Sequence, residues 1–191
     1  MQDKFYFSSN RLEAFYDAII AIIVTVLVLS LPQPSDASLS ALWALKDNYF
    51  AYLISFLICT NLWQYHHVIY NHVEKIDSVI IWQNVALLFV VSLIPYLTIF
   101  VADNQFSLLA QMLYGLDFIL MNVLHYFMAR TLIKINPDDK NLVNALNVKV
   151  GLIIPLILFV VGVIAAFLGY PIAISICCLI TIVRSIIYSL K

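Results

Sequence analysis

Apolar residues in this chain come in long blocks, separated by short clusters rich in Pro, Asn, Asp and Lys. Six blocks predict six helices, over residues 12–32, 43–68, 79–101, 106–133, 148–168 and 171–190. Each approaches or exceeds the about 20 residues that cross a hydrocarbon core of roughly 30 Å. The separators are Pro32 to Asp36, Asn71 to Asp77, Ala102 to Asn104, Asn136 to Lys140 and Gly169 to Pro171. They leave no room for an extramembrane domain, so residues 1–191 read as a single six-span, all-α membrane domain.

The first block has marked ends. Asn10 stands as N-cap with Glu13 three residues on, the spacing of a capping box, and Pro32 stops the far end. Arg11, Phe15, Ala18, Ile22, Thr25 and Leu29 fall on one stripe at steps of three and four. Asp17 lies off that stripe with Val24 and Val28 and is expected to face a neighbouring helix, because a carboxylate inside a span needs protein, water or a counter-charge. The stripe itself fits two readings: stacked rings of Ile22, Thr25 and Leu29 around an axis, or ordinary helix packing.

Composition agrees with the pattern. Hydrophobic residues make up 63% and charged ones 11%, the mean hydropathy is +0.97, and a soluble chain carries about 25% charged residues. The N-terminal MQDKFYFSSN is not the head of a signal peptide, since the following run is too long, contains Asp17 and lacks an A-x-A site. Net charge is -1 with no large Lys/Arg cluster, which excludes nucleic-acid binding. Lys4, Arg11, Lys75, Arg130, Lys134, Lys140, Lys149, Arg184 and Lys191 fall on one side of the six-span scheme and Lys46 alone on the other, so both termini are expected in the cytoplasm.

Polar residues inside the spans carry the remaining information. Trp63, His66 and His67 match Arg11 and Asp17 in depth, with Asn84 entering from the third span. Together they fit a hydrogen-bonded cluster that fixes the first helix or senses pH, or else interfacial anchoring of His and Trp. Asp117, Asn122 and His125 share the fourth span, but a separation of eight keeps Asp117 from meeting His125 directly, so packing is preferred over a proton relay. Arg130 and Arg184 lie near helix ends and can snorkel; no arginine ladder for a voltage sensor exists. Cys59, Cys177 and Cys178 lie in apolar spans without C-x-x-C spacing and read as core residues. Metal spacing such as H-E-x-x-H, a G-x-S-x-G elbow and a P-loop are absent, so no metal site and no enzyme is expected.

Arg11-x-x-x-Phe15-x-Asp17-Ala18, followed by Ile22 and Thr25, closely resembles the first helix of the potassium channel family named after transmembrane protein 175, found in endolysosomes and prokaryotes. The family signature reads R-x-x-x-F-S-D-A, and Tyr16 stands where serine is usual. Trp63 with His66 and His67 is similar to its W-x-x-H in the second helix, and Asn84, Pro95 and Thr98 are similar to its third. The resemblance implies a homotetramer of six-helix subunits with four copies of the first helix around a central pore, in the plasma membrane of a prokaryote. It implies potassium permeation with Ile22, Thr25 and Leu29 at the constriction and Arg11, Phe15, Asp17, Trp63, His66, His67 and Asn84 as support. No cofactor is expected beyond the permeant K⁺, and the expected partners are further copies of the chain, membrane lipid and monovalent cations.

Without T-V-G-Y-G, a filter of extended backbone carbonyls is not available, and helical carbonyls are already bonded internally. Side chains must then form the constriction, and selectivity is expected to be modest, favouring K⁺ because its hydration shell is less costly to strip. The rival reading is a proton-conducting or proton-coupled transporter using Asp17, Asp117 and the histidines. Such transporters place sites at helices broken in paired repeats, whereas only Pro95 and Pro155 mark breaks here and no repeat is visible. A third class is a non-conducting membrane scaffold.

Overall fold

The computed structural model describes residues 7–71, 73, 75–137 and 148–190. In chain order the elements are β1 (Phe7–Ser8), α1 (Asn10–Leu29), α2 (Leu39–Ala44), α3 (Lys46–Tyr70), β2 (Lys75–Ile76), α4 (Ser78–Val91), α5 (Ile94–Asp103), α6 (Leu108–Ile135), α7 (Val148–Phe167) and α8 (Ala173–Ser189).

The long helices run alternately up and down, and contacts at the two ends fix that order. At one end Asn48 Nδ2 donates to Asp103 Oδ1 at 3.2 Å and Gln105 Nε2 to Asp47 Oδ2 at 2.7 Å, tying the start of α3 to the α5–α6 turn. At the other, β1 pairs antiparallel with β2, Phe7 opposite Ile76, and Ser9 Oγ donates to the Val73 carbonyl at 2.6 Å. Arg11, Arg130, Lys134 and Arg184 lie toward this β-ribbon end and Lys46 toward the opposite one. Lys4, Lys140, Lys191 and the acidic pair Asp138–Asp139 lie outside the described residues.

Element boundaries follow local chemistry. Ser9 rather than Asn10 is the N-cap of α1, and no capping box forms: Ser9 Oγ is committed to Val73 and the Glu13 carboxylate to His67. α4 starts sharply because Asp77 Oδ1 accepts from the Val79 and Ile80 N–H groups at 3.1 Å each. The expected third span is broken into α4 and α5. Pro95 has no N–H to offer the Val91 carbonyl, and the chain tightens through Leu93 N–H to Val90 at 3.0 Å. The short α2, capped by Ser38 on Ala41 N–H, follows the Pro32 to Asp36 separator and takes the first residues of the helix expected over 43–68, so that α3 begins at Lys46.

By length and composition, Asn10–Leu29, Ser78–Asp103 and Leu108–Ile135 suffice to cross a membrane; Gly151–Phe167 and Ala173–Ser189 are shorter apolar helices. α3 is 25 residues long but carries Asn61, Gln64, His66 and His67 within it. Its buried side, with Ile54, Ile58, Cys59 and Leu62, forms the centre of a core completed by Ile80, Leu87 and Val91 of α4, Met121, Met128 and Leu132 of α6, and Ile182 of α8. Two groups of polar side chains in this core pair among themselves. Ser55 Oγ lies 2.7 Å from Thr98 Oγ1 and 2.8 Å from Tyr114 Oη, while Gln111 Oε1 accepts from Ser175 N–H and Oγ at 3.2 and 2.7 Å. In an apolar surrounding each such bond replaces one that water cannot supply.

Candidate pore helix and its support

α1 sits at the margin of the chain's helices, against α3, α4 and α5. Only 28% of its most apolar window is buried, against 56% for Ser78–Asp103 and 50% for Leu108–Ile135. Leu12, Tyr16, Ile20, Ile23 and Leu27 form its buried side. Arg11, Phe15, Ala18, Ile22, Thr25 and Leu29 are all exposed, with Ile22 at 60% and Leu29 at 82%. Thr25 Oγ1 donates its proton to the Ile22 carbonyl at 2.7 Å, which turns the hydroxyl lone pairs away from the helix.

Where α1 meets α3, a ring stack adds to the aliphatic contacts of Leu12, Ile20, Ile23 and Leu27. His66 is fully buried and lies flat between Tyr16, 3.6 Å away at 5° between planes, and Tyr70, 4.2 Å away at 18°. Its Nε2–H donates to Asn84 Oδ1 of α4 at 3.3 Å, and the Tyr70 hydroxyl points at Met128 Sδ of α6, 4.0 Å away. One stack thus links four helices. Closer to the surface, Asn71 Nδ2 donates to His67 Nε2 at 3.1 Å, so His67 Nδ1 carries the proton and donates to Glu13 Oε1 at 3.2 Å. Trp63 stacks on His67, ring centres 5.5 Å apart at 9°.

The expected cluster therefore assembles around different α1 residues. His66, His67, Trp63 and Asn84 come together, but Tyr16 and Glu13 meet them, while Arg11 and Phe15 lie on the exposed side. Asp17 is half-buried at the flank, and neither it nor Arg11 has a hydrogen-bond or ion-pair partner among the described residues. The reason is rotation: α1 turns its 12-16-20-23-27 stripe to α3, which leaves Asp17 beside the contact, Val24 half-buried and Val28 exposed. Tyr16 is not among the expected support residues; its one mark in the sequence is that it stands where the family's serine is usual.

On α6, Asp117 and His125 are buried but not joined. Asn122 Nδ2 donates to the Phe118 carbonyl at 2.7 Å, and His125 meets Tyr65 edge-on at 5.3 Å. Cys59, Cys177 and Cys178 are free and buried, and no group of His, Cys, Asp or Glu among the described residues is placed to hold a metal ion.

Residues 11–95 match the family model of the endosomal/lysosomal potassium channel TMEM175. A potassium channel from Chryseobacterium sp. (strain P1-3) is 30% identical over 164 residues, 86% of this chain and 85% of that protein. The endosomal/lysosomal proton channel TMEM175 of Rattus norvegicus is 35% identical over 96 residues, 47% of this chain and 19% of its own length. The crystal structure of a lysosomal potassium-selective channel TMEM175 homolog from Chamaesiphon minutus superposes with a TM-score of 0.80 at 22% identity, over 96% of this chain and 98% of that one. These relatives are ion channels, not enzymes. An apolar all-α chain with this first helix is an integral membrane protein and belongs to the TMEM175 family as a prokaryotic-type member.

Proposed function

We propose that the protein is a potassium-permeable, weakly cation-selective channel of a prokaryotic plasma membrane, assembled from four six-span subunits with both termini in the cytoplasm. The observation that carries this reading is the bare stripe on α1. A row containing Ile22, Thr25 and Leu29 is left uncovered by its own subunit, on the helix that carries the family signature. Four copies facing an axis place Ile22 and Leu29 as apolar rings and Thr25 between them. Apolar rings gate by excluding water, while outward lone pairs of Thr25 offer oxygens to a partly dehydrated cation. Helical carbonyls of α1 take no part, because each is already bonded within the helix.

In this reading Tyr16, His66, Tyr70 and Asn84 hold the angle of α1 from behind, and Trp63, His67 and Glu13 pin its cytoplasmic start. Arg11, Phe15 and Asp17 face or flank the surface that neighbouring subunits cover. The name of the rat relative favours a second reading, conduction of protons.

Purified protein in liposomes with K⁺ inside, Na⁺ outside and a protonophore to close the circuit separates the two. A channel constricted at α1 dissipates the K⁺ gradient, and Ile22→Asn or Leu29→Asn changes the rate or the K⁺/Na⁺ preference. If K⁺ is retained while a pH gradient collapses, and Asp17→Asn stops that collapse, the proton reading replaces it. No flux of either ion overturns both.

A further inference from the structure

Away from the bare face of α1, a cavity of about 80 Å³ lies between α3, α6, α7 and α8. One water needs about 10–15 Å³ on such a measure, so the space holds more than a single bridging solvent molecule. α3 contributes Asn61, α6 Asn122, α7 Gly151 and Pro155, and α8 Arg184 and Ser185. α7 makes the room. Gly151 brings no side chain, a Cβ built there meets nothing within 4 Å, and Pro155 one turn on has no N–H to give the Gly151 carbonyl.

The charge in this space is one-sided. Arg184 is half-buried, just over a turn from the Ser189 end of α8, and no carboxylate lines the cavity with it. Among the described residues Arg184, Asn61 and Ser185 have no hydrogen-bond partner. Asn122 Nδ2 gives one of its two N–H groups to the Phe118 carbonyl. Near a helix end the Arg184 guanidinium can snorkel toward the headgroup level, where its planar fork matches the oxygens of a phosphate. Basic pockets between spans on the cytoplasmic side suit lipid headgroups, and the proposed orientation puts this cavity on that side.

We propose that the cavity is a phosphate site centred on Arg184, with Asn61 and Ser185 as further donors, taking either the headgroup phosphate of an anionic phospholipid or free phosphate. It is separate from the permeation path and does not depend on what the channel conducts. The test uses the full chain in detergent, with two variants. Arg184→Gln removes the charge, and Gly151→Leu adds bulk at the α7 wall of the cavity while leaving Arg184 in place. Native mass spectrometry titrates phosphatidylglycerol against phosphatidylcholine, and thermal unfolding compares inorganic phosphate with chloride at equal ionic strength.

The wild type is expected to retain phosphatidylglycerol in preference to phosphatidylcholine, or to gain stability in phosphate over chloride, and both variants to lose roughly tenfold or more in the affinity concerned. A response to the lipid alone assigns the site to the membrane, and a response to inorganic phosphate alone assigns it to the free ion. A wild type indifferent to both probes overturns the proposal even if neither variant folds. So do variants that bind like the wild type.

Discussion

Tyr16 and His66 lie 3.6 Å apart and 5° from parallel, at the point where α1 leans on α3. Rings this close and parallel are face to face rather than offset or edge-on, so the contact is held by burial more than by ring electrostatics, and Tyr16 is wholly buried. The ring therefore seats the helix, and its hydroxyl has no partner among the described residues. Tyr16→Phe is expected to keep the stack and the melting temperature. Tyr16→Ser, which restores the family's usual residue, leaves a ring-sized void and costs roughly 3 kcal/mol, in the range of large-to-small changes in packed cores. Equal melting temperatures for the serine variant and the wild type, by fluorescence-detected unfolding, would remove the stack from the account of how α1 is held. At this scale the sequence was only half legible. The depth of His66, His67, Trp63 and Asn84 and the stripe on α1 followed from spacing, but the rotation of α1 depends on which ring packs on which, and that is a property of two helices.

Between elements, α7 and α8 approach so closely at their shared end that backbone meets backbone. A Cβ on Gly162 would stand 3.0 Å from Ile174 Cα and 3.3 Å from the Ala173 carbonyl oxygen. Neither can swing aside as a side chain does, and small residues are what allow membrane helices to approach this closely. Gly162→Val is therefore expected to destabilise the protein by about 1–3 kcal/mol through overpacking. Gly151→Ala on the same helix, with open space around its Cβ, is expected to be neutral or to stabilise it by about 1 kcal/mol through helix propensity. Thermal unfolding of the two variants in one detergent checks the contrast, and similar losses in both would show that helix flexibility, not contact, sets the requirement for glycine. The long helices themselves were readable because apolar length and short polar separators specify them directly. The break between α4 and α5, the β1–β2 ribbon and α2 were not. Pro95 hinted at the break, whereas β1 and β2 are two residues each and pair only because the two chain segments meet at one end of the bundle.

For the whole molecule, the question is what covers the face of α1 that its own subunit leaves bare. Lipid and a second subunit are both apolar enough for Ile22 and Leu29, so hydrophobicity cannot decide. Proximity can, because four helices around an axis bring identical positions together and lipid keeps them apart. Introduced cysteines report this without background, since Cys59, Cys177 and Cys178 are all buried. Leu29→Cys, at the most exposed apolar position of α1, is expected to give covalent dimers on oxidation or with a short bismaleimide, because each ring position has its copies as neighbours. Val160→Cys on α7, also exposed but on a helix packed against α6 and α8, is expected to give none. The uncross-linked complex should then have four times the 21.7 kDa mass of the chain. Dimers from Val160→Cys but not from Leu29→Cys would put the subunit contact on the far side of the molecule. The bare stripe would then face lipid, and the pore reading would lose the observation it stands on.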